Sequence, residues 1–163
     1  MHFIVAFCEW LEQTGVGTSI RESLWLFPII ETVHIFGIVL LVGSTSILDL
    51  RLMGLTLRDE PVSKLAWRYL PWSWAGFVLQ LVTGGLLFAS EATKMYGNLG
   101  FDIKMILIVV AGINALVFHL IAYQSVGKWE NDPVAPFSAR VAGCLSILLW
   151  FGIVAAGRWI AYI

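Results

Sequence analysis

The stretch ESLWLFPIIETVHIFGIVLLVG, residues 22–43, decides how this chain is interpreted. It is apolar and long enough for a helix that crosses a bilayer, which takes about 20 residues. Glu31 and His34 nevertheless lie within it, one helical turn apart. An ionised side chain at the centre of a membrane helix costs about 2.5–3.5 kcal/mol on insertion scales. These two residues are therefore candidates for a functional site.

The composition indicates an integral membrane protein whose main partner is the lipid bilayer. Of 163 residues, 59% are hydrophobic and 13% are charged, against about 45–50% and 25% in soluble domains. The net charge is −1 and basic clusters are missing, so we expect no nucleic-acid partner. Cys8 and Cys144 form no C-x-x-C or C-x-x-C-H motif. The sequence therefore does not favour a thiol metal site or a covalently attached haem.

Four apolar segments predict an all-α fold, an up-down four-helix bundle in a single membrane domain, residues 1–163. The predicted spans cover about residues 24–48, 70–90, 103–123 and 141–163. These runs are too long for the strands of a membrane barrel. Residues 2–14 predict a short amphipathic helix at the membrane interface, and Gly15 and Gly17 are expected to end it.

The distribution of Lys and Arg predicts the orientation. The loops after spans one and three, with their flanks, hold six basic residues: Arg51, Arg58, Lys64, Arg68, Lys128 and Arg140. The opposite side holds four, namely Arg21, Lys94, Lys104 and Arg158. This bias predicts a multi-pass protein of the bacterial inner (cytoplasmic) membrane with both termini in the periplasm.

His34 and His119 are the candidate metal ligands. They lie on spans one and three, which run in the same direction and are diagonal in an up-down bundle, so their imidazoles could meet across the core. Two axial imidazoles would satisfy the iron of one b-type haem. Counted from the predicted span starts, however, His34 lies about 15 Å deep and His119 about 24 Å deep. That difference counts against the pairing.

Small residues near these histidines would leave room for a planar macrocycle. Gly37 follows His34 by three residues, and Gly112 and Ala115 lie on nearly the same helical face as His119. Arg158, near the outer end of span four, could pair with a haem propionate or with Glu31.

Other interpretations stay open. Gly and Ala are common wherever membrane helices pack closely, so the histidines can be structural or can bind another metal. Glu31 and His34 match a Glu-x-x-His element of di-iron proteins, but the chain has no second copy. A polar thread that includes Gln80, Thr83 and Asn114 would suggest a proton path. Asn114, though, lies five residues from His119, about 140° round the helix.

Two segments carry a resemblance to known proteins. ETVHIFGIVLLVG, residues 31–43, and LSILLWFGIVAAGRWIAY, residues 145–162, resemble a family of small uncharacterised bacterial four-helix membrane proteins with a His-bearing first span and a Gly-Arg-Trp ending in the last. This resemblance covers most of the chain from Glu22 onward. More distantly, the chain resembles cytochrome b561-like and copper-resistance D-like membrane proteins. That wider resemblance implies haem b held between histidines, or copper movement.

Two intramembrane histidines allow at most one bis-histidine haem b. We therefore expect a membrane-embedded b-type haem protein that relays electrons between the quinone pool and a periplasmic redox partner. It could equally be the membrane subunit of a larger complex, or form a homo-oligomer. The alternatives are a cofactor-free scaffold or accessory subunit, and a copper or proton transporter. No sequence motif indicates a self-contained enzyme.

Overall fold

The computed structural model describes residues 2–162, which form seven α-helices and no strand within that range. The helices are α1 (His2–Gln13), α2 (Gly15–Glu22), α3 (Leu26–Leu52), α4 (Val62–Ser90), α5 (Ala92–Met95), α6 (Leu99–Val117) and α7 (Phe137–Trp159). Helix α6 continues as a π-helical turn, Phe118–Ala122, and a 3₁₀ segment, Tyr123–Lys128, and a 3₁₀ turn, Ile160–Tyr162, follows α7. Four helices, α3, α4, α6 with its continuation and α7, are long and apolar enough to cross a membrane. The predicted all-helical class is confirmed.

The four long helices pack as antiparallel pairs. Helix α3 packs against α4 and α7, and α6 packs against α7. We call the end where α3 and α6 begin the upper end, and the end where α4 and α7 begin the lower end. The contact between α4 and α6 is much smaller than these. It includes a stack of Phe88 on Phe101 near the upper end, with ring centroids 5.5 Å apart.

Helices α3 and α4 touch through their backbones. A β-carbon added to Gly76 would lie 2.6 Å from the backbone nitrogen of Leu41 and 3.0 Å from the carbonyl oxygen of Gly37. Below this point, the hydroxyls of Ser44 and Ser73 are hydrogen-bonded at 2.7 Å. Small residues permit such close approach where the hydrophobic effect does not drive helices together. We call this contact of Gly37, Leu41 and Gly76 the waist.

Arg51 joins the loops at the lower end. Its side chain is fully buried. Nε donates to the carbonyl of Glu60 at 2.9 Å, and Nη2 donates to the carbonyls of Glu130 and Asp132 at 3.2 and 3.0 Å. A buried guanidinium needs such partners because its unmet donors would be costly. In the sequence Arg51 counts only as one of the basic residues of the loops. In the structure it holds the loops of the lower end together.

The N-terminal helices pack against the upper end. Helix α1 ends at Gln13, just before the two glycines. Thr14 caps α2 by accepting from the backbone N–H of Gly17 at 3.2 Å, so the glycines lie in the first turn of a second helix. A β-carbon on Gly17 would lie 2.7 Å from the carbonyl oxygen of Ala89 in α4. Glu12 accepts from the backbone and the hydroxyl of Thr93 at 2.8 and 2.6 Å. The hydroxyl bond is the main cause that lowers the pKa of Glu12.

The long helices differ from the predicted spans mainly at their ends. Helix α4 begins at Val62, eight residues before the predicted start, so Pro71 lies inside the helix and not in its first turn. Helix α3 has 27 residues and is about 40 Å long, more than the roughly 30 Å hydrocarbon layer. The polar first turns of α4, SKLAWRY at residues 63–69, are also helical, although they precede the predicted apolar span.

The outward faces of the long helices carry large apolar side chains. Phe36, Val78, Ile106 and Phe151 are between 56% and 76% exposed. Soluble monomers rarely expose contiguous apolar surface on this scale. The structure is therefore compatible with a multi-pass membrane protein.

Substituting Gly76 by Ala is expected to destabilise the fold, because the added methyl group would overlap backbone atoms of α3 that cannot move aside. Overpacking of this kind costs about 1–3 kcal/mol. We expect the midpoint of thermal unfolding, followed by circular dichroism in mild detergent, to fall by about 2–10 °C. Gly43→Ala is the matched control, since a β-carbon there meets nothing within 4 Å. Equal midpoints for the two variants would contradict the close contact.

Candidate functional site

His34 is held against α4 by a hydrogen bond that fixes its protonation. The ring is half-buried, and Nδ1 lies 2.8 Å from Thr83 Oγ1. Thr83 Oγ1 donates its own proton to the carbonyl of Leu79 at 2.6 Å. With that bond made, the hydroxyl has no second proton to give, and Thr83 accepts from the imidazole. In this arrangement neutral His34 carries its proton on Nδ1 and leaves the lone pair of Nε2 free.

The residues around His34 fix its position from several sides. Gln80 Nε2 donates to the backbone carbonyl of His34 at 2.5 Å. Gly37 makes this possible, since a β-carbon there would lie 2.6 Å from the Gln80 amide nitrogen. A β-carbon on Gly84 would lie 3.4 Å from Cε1 of His34, so the imidazole also lies against the α4 glycine. The space beside Gly37, expected to hold a macrocycle, is filled by Gln80.

Lys104 is the second ionisable side chain in this part of the bundle. It is half-buried on α6, and its Nζ would lie 3.6 Å from a β-carbon added to Gly157 on α7. Within the described residues, Nζ has no hydrogen-bond acceptor and no carboxylate partner.

His34, Thr83, Gly84, Lys104 and Gly157 form what we call the upper cluster. His34, Thr83 and Lys104 lie five to eight residues from the upper ends of their helices, or about 8–12 Å at 1.5 Å per residue. All four long helices contribute to it. The upper cluster thus offers a hydrogen-bond acceptor, His34 Nε2, and a charged donor, Lys104 Nζ, at similar depth on α3 and α6.

The upper cluster is closed below and least covered at the side. On α3 and α4, the waist lies between His34 and Thr83 above and the polar groups of the lower half, which include the buried Asp49. At the side, α4 and α6 share few contacts. Two open surface grooves, of about 380 and 280 Å³, lie elsewhere, beside Tyr96 and Val109.

His119 lies on a different face and at the other end of the bundle. Its side chain is exposed and stacks on Tyr123, with ring centroids 5.2 Å apart. Gly112 and Ala115 are exposed on the same side of α6. Ala122, one turn after His119, packs with Leu52 at the lower end.

The two histidines of one chain do not fit a single bis-histidine haem. Leu52 lies 18 residues after His34 on α3, a separation of about 27 Å along the helix. Both imidazoles would have to reach one iron atom, and His119 faces away from the bundle. The structure therefore does not bring these two predicted ligands together.

The remaining predicted site residues lie outside the upper cluster. Arg158 and Glu31 are both exposed near the upper end. The ion pairs of the described residues are Arg21–Glu12, Lys64–Glu60 and Lys94–Glu91, so neither Arg158 nor Glu31 is paired. Within residues 2–162, no group of three or more His, Cys, Asp or Glu side chains is placed to hold a metal ion.

Sequence reasoning missed Lys104 because it lies near a predicted span start, where snorkelling is easy. A helical wheel shows the pattern that would have identified Lys104 as an inward-facing residue. Leu107, Ala111 and Asn114 follow Lys104 at three, seven and ten residues, which places all four on one face. That face packs inward, since Ala111 is buried and Asn114 donates to the carbonyl of Ala142 on α7 at 3.0 Å.

Residues 7–163 match the profile of a family of unknown function, DUF6644. No curated protein matches the chain, and no solved structure matches it. The expected membership of an uncharacterised family is confirmed. The wider resemblance to cytochrome b561-like and copper-resistance D-like proteins finds no support in these comparisons.

Substituting Lys104 by Met is expected to stabilise the protein, because a half-buried ammonium without an acceptor is replaced by an apolar side chain of similar length. We expect the thermal midpoint in detergent to rise by about 2–4 °C, equivalent to about 1 kcal/mol. The control is Lys94→Met, since Lys94 is exposed and paired with Glu91 at 3.4 Å. A lower midpoint for Lys104→Met would mean that the ammonium has a stabilising partner.

Replacing His119 by Ala is expected to leave the dithionite-reduced minus oxidised absorption spectrum unchanged, because His119 faces away from His34 and from the bundle. The measurement uses protein purified from cells supplied with ample haem. A b-type α-band that is lost in both His119→Ala and His34→Ala, with the fold retained, would show that the two histidines share an iron.

Proposed function

The chain belongs to the DUF6644 family of unknown function, and we propose that it is a membrane protein that binds a quinone-type ring compound in its upper cluster. One observation carries this proposal: the free Nε2 of His34 and the unpaired ammonium of Lys104 lie at similar depth on different helices. A few polar groups placed within an apolar bundle can orient a small ligand.

The membrane location is the first part of the proposal. The four long apolar helices would cross the bacterial inner membrane as an up-down bundle, with lipid around their exposed faces. The Lys and Arg bias favours both termini in the periplasm, which places the upper end there. Exposed tryptophans support two interfaces, with Trp25 and Trp159 at the upper end and Trp67 at the lower end.

The ligand class follows from the two polar groups and from where they lie. A ligand that enters between α4 and α6 comes from the lipid phase, so it must be lipid-soluble. It needs an oxygen that accepts from Lys104 and a second polar group that contacts His34. Ring compounds with two oxygen substituents and an alkyl tail meet these requirements, and quinones are the common membrane members of that class.

The chain would act as a subunit and not alone. Its own residues supply binding and orientation, and Thr83 holds the imidazole in one tautomer. Because the histidines do not fit a bis-histidine haem, the redox centre that would exchange electrons with the ligand belongs to a partner, either another membrane subunit or a periplasmic redox protein. This retains the expected role in electron transfer without an internal haem.

The scaffold alternative is favoured by one observation. Lys104 has no carboxylate partner within the described chain, and an acid on a helix of another subunit could supply one. The transporter alternative finds less support, since the waist interrupts the polar groups and no metal-binding cluster occurs within residues 2–162.

Photolabelling tests the proposal. The probe is an azido-benzoquinone with a decyl tail, and labelled peptides are located by mass spectrometry in the protein reconstituted into lipid nanodiscs. We expect labels on α3, α4 or α6 at the upper end, displaced by unlabelled decyl-benzoquinone. Lys104→Met should reduce this labelling at least about tenfold, equivalent to about 1.4 kcal/mol.

Lys94→Met is the matched control and should label like the wild type. Labelling spread evenly over the exposed helix faces, or equal in the Lys104→Met protein, would reject the site. Recovery of a protein partner that crosslinks to position 104 in place of the probe would favour the scaffold function.

A further inference from the structure

We infer that the upper cluster binds the reduced, hydroquinone form of its ligand in preference to the oxidised quinone. This inference rests on the proposed function and names the form of the ligand. It follows from which atoms around His34 donate hydrogen bonds and which accept them. This pattern does not depend on the size of the site or on the substituents of the ligand ring.

The first step is the donor and acceptor character of His34. Thr83 Oγ1 gives its proton to Leu79 O at 2.6 Å and so accepts from His34 Nδ1 at 2.8 Å. The neutral imidazole has one N–H, and it is used in this bond. Nε2 can then only accept.

The second step is the chemistry of the two ring forms. A quinone carries two carbonyl oxygens, which only accept hydrogen bonds, whereas each hydroxyl of a hydroquinone both donates and accepts. A hydroquinone can donate one hydroxyl proton to His34 Nε2 and accept from Lys104 at its other oxygen. A quinone can accept from Lys104, but its second carbonyl would face the lone pair of Nε2.

The third step is the size of the effect. A site built to bond a hydroxyl discriminates strongly against the analogue that lacks it, because a buried polar group is left unpaired. The upper cluster is only half-buried and water can reach part of it, so we expect a preference of at least about tenfold and not the full range of about 10⁴–10⁵ seen in enclosed sites.

Thr83 is therefore a positioning residue for ligand selection. Thr83→Val keeps the shape of the side chain but removes the acceptor for Nδ1–H. The imidazole can then place its proton on Nε2 and donate to a quinone carbonyl. The preference for hydroquinone should fall by at least about fivefold in this variant, a change in ratio that a loss of packing would not produce.

The test is competition against a redox-inert label, a decyl-tailed aryl azide with two methoxy groups in place of the quinone carbonyls, under anaerobic conditions. Decyl-hydroquinone and decyl-benzoquinone are added to separate samples, without any added reductant, and compared as displacers in the wild type and in Thr83→Val. Thr45→Val is the matched control, since Thr45 Oγ1 donates to Leu41 O at 2.8 Å within its own helix and lies below the waist.

The outcomes separate the two proposals. A tenfold preference for the hydroquinone that shrinks in Thr83→Val and persists in Thr45→Val supports the inference. Equal displacement by both forms in the wild type overturns it and leaves the proposed function standing. Absence of displaceable labelling by either form rejects the proposed function itself.

A spectroscopic measurement keeps the inference testable if Thr83→Val does not fold. The ¹⁵N shifts of the histidine ring nitrogens in the wild-type protein, with His34 assigned by comparison with His34→Gln, report which nitrogen carries the proton. A protonated Nδ1 and a bare Nε2 are expected. The opposite tautomer, or a fully protonated ring at neutral pH, would overturn the inference.

Discussion

The backbone contact between α3 and α4 is the constraint on which the rest of the structure depends. Gly76 lets α4 approach to within van der Waals distance of the Leu41 backbone, and this fixes both the separation and the register of the pair. The register then decides which side chains meet above and below, so Ser44 faces Ser73 and His34 faces Thr83. The orientation of one imidazole is thus a consequence of a glycine about two turns away along the facing helix.

The apolar segments gave a sound prediction of the four long helices, because a run of about 20 apolar residues has few alternatives in lipid. Helix ends were harder to predict. The start of α4 is polar and looks like a loop, yet it stays helical where Pro61 precedes Val62 and the lower-end loops close on Arg51. Gly17 follows the end of α1 and is in addition a contact point with α4, which the sequence did not indicate. Only tertiary packing reveals these roles.

Of the two ionisable residues of the candidate site, the sequence predicted His34 but not Lys104. An imidazole in an apolar run indicates function from sequence alone, and His34 does lie in the polar cluster. The ionisable side chain at a similar depth on α6 is Lys104 and not His119, because depth and helical face both have to match. Asn114 bonds α7, so a residue about 140° away from it on the same helix, such as His119, must point outward. The sequence contained this angle, but not the direction in which Asn114 faces.

The upper cluster combines features that a purely structural core would avoid. Within the described residues Lys104 Nζ has no acceptor and His34 Nε2 has no donor, and both side chains are half-buried, so an apolar replacement would avoid the cost of desolvating them in part. The waist does not need them, since it is held by backbone contact and serine hydroxyls. Proteins retain such groups where something else supplies the missing partners. One donor and one acceptor without partners among the described residues, beside the small contact between α4 and α6, are the features that the proposed ligand would complement.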